Sequence, residues 1–132
     1  MSTFCAKVSK IETMKHLSLV QFDVKGHTLC MMSLGITTPI PIGSDVSLCV
    51  NAPGVLIVKG AYDTISSSNQ LTCKVTRITM GALLVSICLE FSEIVIESLI
   101  TKQACDTMDL QEGDSVIAII KESDIAIVEV HI

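Results

Sequence analysis

Ser66-Ser67-Ser68-Asn69-Gln70-Leu71 lies in the middle of the 132-residue chain. The run is small, polar, rich in hydroxyls and uncharged, and a strand-like segment starts directly after it. Most of the chain on its C-terminal side has a counterpart on its N-terminal side. Phe4-Cys5-Ala6-Lys7-Val8-Ser9-Lys10-Ile11 aligns with Leu71-Thr72-Cys73-Lys74-Val75-Thr76-Arg77-Ile78, matching apolar, Lys and Ile positions. Ile42-Gly43-Ser44-Asp45-Val46 aligns with Glu112-Gly113-Asp114-Ser115-Val116. Asn51-Ala52-Pro53-Gly54-Val55-Leu56-Ile57-Val58 aligns with Lys121-Glu122-Ser123-Asp124-Ile125-Ala126-Ile127-Val128. Blocks that match in the same order indicate two copies of one module joined near residues 60 to 68, and the repeat sets the unit of folding. We therefore expect one module over residues 1–64 and a second over 65–132.

Modules of this size are marginal alone, because a small fold buries too little of its surface. The two must share a core or gain burial from other chains. Hydrophobic residues make up 49% of the chain, yet there is no Trp, one Tyr and three Phe. The apolar content is Ile, Val and Leu, which suits strands. No apolar run approaches the roughly 18 residues of a membrane span. The start, Met1-Ser2-Thr3-Phe4-Cys5-Ala6-Lys7, lacks a basic region followed by a long apolar one, so no secretion signal is expected.

Period-two alternation dominates. In Leu83-Leu84-Val85-Ser86-Ile87-Cys88-Leu89-Glu90-Phe91 the odd positions are apolar, while Ser86 and Glu90 mark the other face. Val20-Gln21-Phe22-Asp23-Val24 reads likewise, and Lys25-Gly26-His27 turns the chain back. Each copy offers about five strands, near 4–11, 17–24, 28–33, 45–51 and 54–59, then 71–78, 83–91, 94–100, 115–121 and 125–130. Ser115-Val116-Ile117-Ala118-Ile119-Ile120 is apolar on both faces, as a strand covered on both sides would be. Thr101 to Leu110 breaks the alternation and reads as a short helix capped by Thr101. Its counterpart, Ser33 to Pro41, contains prolines and reads as a turn with at most one helical turn. The fold class predicted is all-β: two tandem OB-like five-stranded barrels, each with one short helix. The open edges of such barrels need closing by strands exchanged between modules or subunits, or by oligomerisation.

Charge narrows the partners. The net charge is −5, and the acidic excess lies entirely after residue 64. An acidic chain with a single Arg and few aromatics is poorly suited to nucleic acid, whether through phosphate contacts or base stacking. The six cysteines, at positions 5, 30, 49, 73, 88 and 105, form no C-x-x-C pair and sit mostly in apolar strand-like runs. They read as reduced thiols of a cytoplasmic protein rather than a disulfide framework. His16, His27 and His131 lack zinc-site spacing. There is no G-x-S-x-G and no glycine-rich phosphate loop, so no enzymatic chemistry is expected.

One constellation suits binding an oxyanion. That chemistry needs hydroxyl and amide donors, free backbone N–H groups and a cation. Ser66, Ser68 and Asn69 in the linker, Thr101 at the helix start, and Lys121 followed by Ser123 at a turn supply them. Each also has an ordinary role: the serines as a flexible linker, Thr101 as a cap, Lys121 as a solvated charge. Composition alone favours those ordinary roles.

Four segments then fall into a known pattern. They are Ser66-Ser67-Ser68-Asn69-Gln70, Thr101-Lys102-Gln103-Ala104, Leu110-Gln111-Glu112-Gly113-Asp114 and Ile120-Lys121-Glu122-Ser123-Asp124-Ile125. They resemble the S-A-R-N-Q, T-K-E-S, L-x-E-G-D and I-K-A-S-D-V-like signatures of the Mop family, the molybdate- or molybdenum-pterin-binding module of the TOBE superfamily. The whole chain is similar to its two-module (di-Mop) form. The first copy carries Ser33 for the helix Thr and Asn51-Ala52-Pro53 for a K-A-P variant of the turn. Ser68 replaces the family Arg, Ala104 its helix Ser, and Asn51 its first-copy Lys. The resemblance implies a cytoplasmic protein that binds molybdate or tungstate for storage or homeostasis. It implies a homotrimer of six modules with anions between subunits. With Met1 directly at the first module, no attached DNA-binding or ATPase domain is expected. The residues it points to are Ser66, Ser67, Ser68, Asn69, Thr101, Lys102, Ala104, Lys121 and Ser123, with Ser2, Ser33 and Asn51 in the first copy. The alternative is an oligomeric interaction or regulatory module of the same fold that has lost the anion.

Overall fold

The computed structural model describes residues 2–36 and 39–131. Met1, Thr37, Thr38 and Ile132 lie outside the described residues, so part of the turn expected between Ser33 and Pro41 does too. Among the described residues, ten strands form two five-stranded antiparallel sheets. The first half contributes β1 (Ser2–Met14), β2 (Leu17–Val24), β3 (His27–Leu34), β4 (Asp45–Val50) and β5 (Val55–Val58). The second contributes β6 (Gln70–Met80), β7 (Leu84–Phe91), β8 (Ile94–Thr101), β9 (Ser115–Ile120) and β10 (Ile125–His131), with helix α1 (Lys102–Met108) after β8. Among the described residues no helix is long and apolar enough to cross a membrane.

The halves interlock. One sheet has the order β10-β4-β1-β2-β3 and the other β5-β9-β6-β7-β8. The last strand of each half thus lies on the sheet built by the other, β10 against β4 and β5 against β9. Short 3-10 turns, Ala52–Gly54 and Glu122–Asp124, steer the chain across. A single hydrophobic cluster draws on both halves, and Phe4 and Phe91 meet edge to face with ring centroids 6.2 Å apart.

Alternation explains the strands, and a bulge explains where it breaks. In β1 the buried positions are Phe4, Ala6 and Val8, after which the pairing with β2 shifts between Val8 and Lys10 and Ile11 turns inward. In β6 they are Leu71, Cys73 and Val75, the shift falls between Val75 and Arg77, and Ile78 is the next to turn inward. An extra residue in one strand reverses the phase of every side chain after it. The matched bulges give the register of the repeat, Val8 with Val75 and Lys10 with Arg77. The β2–β3 turn places Lys25 and Gly26 at φ 49° and 87°, as a tight hairpin with both central residues left-handed requires. It touches the equivalent β7–β8 turn through His27 Nε2 and Ser92 Oγ at 2.9 Å and Lys25 with Glu93 at 3.8 Å.

Candidate functional site

The polar run before β6 is built into the fold. Ser67 is 7% exposed and Asn69 0%, whereas Ser66 and Ser68 face outward. Ser67 Oγ lies 2.9 Å from the Ile120 carbonyl and 3.0 Å from Glu122 Oε1, and it accepts from the Asn69 N–H at 3.2 Å. Its single proton therefore serves two acceptors. The Asn69 side chain accepts from the Cys30 N–H at 2.7 Å and donates to the Cys30 carbonyl at 2.8 Å. Both amide groups of Asn69 are thus committed to the edge of β3, in the other sheet. Ser2 makes the corresponding contact on β8, its hydroxyl accepting from the Glu97 N–H at 2.8 Å. In this chain Asn69 and Ser2 join one sheet to the other.

The candidates separate into three places. Ser66, Ser67 and Lys121 share a cavity of about 360 Å³ with Pro53, Gly54, Leu56, Ile65, Ile119, Glu122 and Asp124. Thr101 and Ala104 line a second, with Gln103, Thr107 and Met108. Ser33 and Ser123 face a third of about 770 Å³, whose walls are largely apolar and include Met31, Ile36, Ile40, Ile125 and Ile127. Asn51 and Lys102 are exposed. Lys121 and Asn51 occupy matching positions before the two 3-10 turns, each in extended backbone.

Thr101 caps α1: its Oγ1 accepts from the Ala104 N–H at 3.1 Å. That N–H is consequently engaged, and the donor Thr101 still offers is its hydroxyl proton. The strand register revises one correspondence. Leu17 pairs with Leu34, and Leu84 pairs with Thr101. Leu34, not Ser33, therefore occupies the position matching Thr101. Ser33 points to the other face of β3, since neighbouring residues alternate.

The electrostatics of the Lys121 cavity were not foreseen from sequence. Its lining carries one ammonium-bearing side chain, Lys121, and two carboxylates, Glu122 and Asp124. The Cys30 thiol is pushed above its ordinary value by burial first, then by the charges of Glu122 and Glu12. The Asp124 side chain packs against Gly54, where an added Cβ would lie 2.7 Å from Asp124 Cγ. A signal for Glu122 was present: the turn signature has Ala at this position, and the first copy has Ala52. Among the described residues no group of three or more His, Cys, Asp and Glu side chains could hold a metal ion, and all six cysteines are free thiols.

Comparison with known proteins agrees with this architecture. Residues 65–127 match the model of the TOBE domain family. Comparison with curated proteins returned no match. Among solved structures, the chain is similar to the cytoplasmic molybdate-binding protein ModG crystallised with molybdate bound. The TM-score is 0.88 and the identity 26%, over 95% of this chain and 93% of that one. The domain match covers most of the second half of the chain, and the structural match nearly all of the chain.

Proposed function

We propose that this is a cytoplasmic, non-enzymatic protein that binds molybdate or tungstate for storage or homeostasis. It consists of two modules, 1–64 and 65–132, and works as a homotrimer of six modules with anions at subunit interfaces. The observation that carries the reading is the similarity, over nearly the full length of both chains, to a protein solved with molybdate bound.

Two features support the interface. Lys121 with Ser66 and Ser67, and Thr101 with Ala104, line different cavities of one chain. A neighbour that brought its Thr101 groove to the Lys121 cavity would gather the hydroxyls and the ammonium around one anion. Apolar side chains also lie open on the first sheet: Met14, Leu17 and Leu34 in one row, Leu19 and Met32 in the next. Met14 is 76% exposed and Leu34 78%, more than isolated surface residues require. In this arrangement Lys121 supplies the charge and Thr101, Ser66, Ser67 and Ser68 donate hydrogen bonds, while Ser123 faces the larger cavity. Charge-assisted bonds of this kind contribute roughly 1.5–3 kcal/mol each.

Isothermal titration and thermal unfolding with molybdate, tungstate and sulfate test the reading. Molybdate or tungstate at 100 times its dissociation constant should add about 2.7 kcal/mol per site. Absence of both heat and stabilisation with every anion would remove it. The second reading, an interaction module that has lost the anion, is favoured by the carboxylates beside Lys121 and by Ser68 in place of Arg. It predicts an unchanged assembly in Lys121→Ala and no anion effect on the native protein.

A further inference from the structure

We propose that Glu122 is an internal competitor for the anion, a side chain whose carboxylate occupies the Ser67 hydroxyl of the Lys121 cavity and lowers oxyanion affinity. The inference rests on the proposed oxyanion function and assigns the residue that sets its strength.

Glu122 Oε1 sits 3.0 Å from Ser67 Oγ, on the wall that also carries Lys121 and Ser66. A carboxylate offers the same chemistry as one edge of a tetrahedral oxyanion, two oxygens that accept hydrogen bonds and carry negative charge. An incoming dianion must take the Ser67 proton from Glu122 and enter a cavity that Glu122 and Asp124 line together with Lys121. Glu122 is half-buried, so its carboxylate is only partly open to bulk water. Among the described residues the Lys121 ammonium has no ion-pair partner, so it remains available to an anion. The two carboxylates are not equivalent. Asp124 packs against Gly54, while Glu122 alone of the two is bonded to a candidate donor.

The first half shows that the turn does not need this carboxylate. Ala52 stands at the position matching Glu122, and Ala52–Gly54 forms the same 3-10 turn. Glu122→Ala should fold for that reason.

The test compares wild type, Glu122→Ala, Glu122→Gln and Asp124→Asn by titration of the intact protein with molybdate. Unliganded melting and size-exclusion chromatography check fold and assembly. Glu122→Ala should bind at least tenfold more tightly than wild type, or bind where wild type gives no heat. Glu122→Gln, which keeps the shape and loses the charge, should fall between them and serves if the alanine variant misfolds. Asp124→Asn should tighten binding less than Glu122→Ala. Unchanged or weaker binding by folded Glu122→Ala and Glu122→Gln overturns the inference while anion binding by wild type stands. Equal tightening by Asp124→Asn also overturns it, since the effect would then be one of net charge. Silence from all four proteins overturns the oxyanion reading itself.

Discussion

Asn69→Ala should be among the most damaging single substitutions outside the hydrophobic core. The side chain is 0% exposed and behaves as a one-residue extension of the first sheet, satisfying both backbone groups of Cys30 on the edge strand β3. Truncation strands an N–H and a C=O, and a group left buried without its partner costs about 1–3 kcal/mol. Cys30 is only partly buried, so water recovers some of that penalty. The sum is about 2–4 kcal/mol, a large share of the roughly 5–15 kcal/mol that holds a domain folded. Ser2, in the matching position, accepts a single bond from Glu97, so Ser2→Ala should cost about 1 kcal/mol. Urea unfolding at fixed protein concentration compares the two, with the midpoint reporting stability when the slope is unchanged. If Asn69→Ala falls within 1 kcal/mol of wild type, or Ser2→Ala costs as much, the assignment of Asn69 as the link between sheets is wrong.

Other substitutions probe other joints. Gly54→Ala should destabilise by about 1–3 kcal/mol through overpacking against Asp124, and Asp124→Ala in the same chain should recover most of it; a denaturation cycle measures the coupling. The Asp114 carboxyl is held below its ordinary value of 3.8, first by the Gln111 N–H and then by Lys59, 3.0 Å away. A depressed carboxylate contributes stability that is fully present above its ordinary value and fades as pH falls through the lower folded value. Asp114→Asn should therefore narrow the gap to wild type as the urea midpoint is followed from pH ~5 downward. Burial pushes the Cys73 thiol up to about 11, against a weaker lowering from its hydrogen bond with the Ala118 backbone, while Cys5 is exposed. Alkylation near neutral pH, read by mass spectrometry, should label Cys5 first and reach Cys73 only on unfolding.

Much of the fold was legible because it is written locally. Alternation in Leu83 to Phe91 marks a half-buried strand, and Thr101 marks a helix start that forms as the capping rule requires. Burial of Ala118, Ile119 and Ile120 together was visible as an apolar run. Which sheet a strand joins is decided by pairing between distant segments, and the side-chain pattern of Val55-Leu56-Ile57-Val58 carries no record that its partner is β9. The phase of Ser33 was lost for a related reason. The first copy is shorter between β3 and β4, so aligning Ser33 with Thr101 by chemical type slips by one residue, which reverses the face. At the site, residue type showed that donors were present but not what already used them. Asn69 is spent on Cys30, the Ala104 N–H on Thr101, and Ser67 on Ile120 and Glu122.

Anomalous diffraction from crystals soaked in tungstate measures the central claim most directly, because the heavy atom marks each occupied site. The account predicts tungsten between protomers, beside Lys121 and Ser66 of one chain and near Thr101 of its neighbour. A monomer in solution, or tungsten found only away from Lys121, would contradict it.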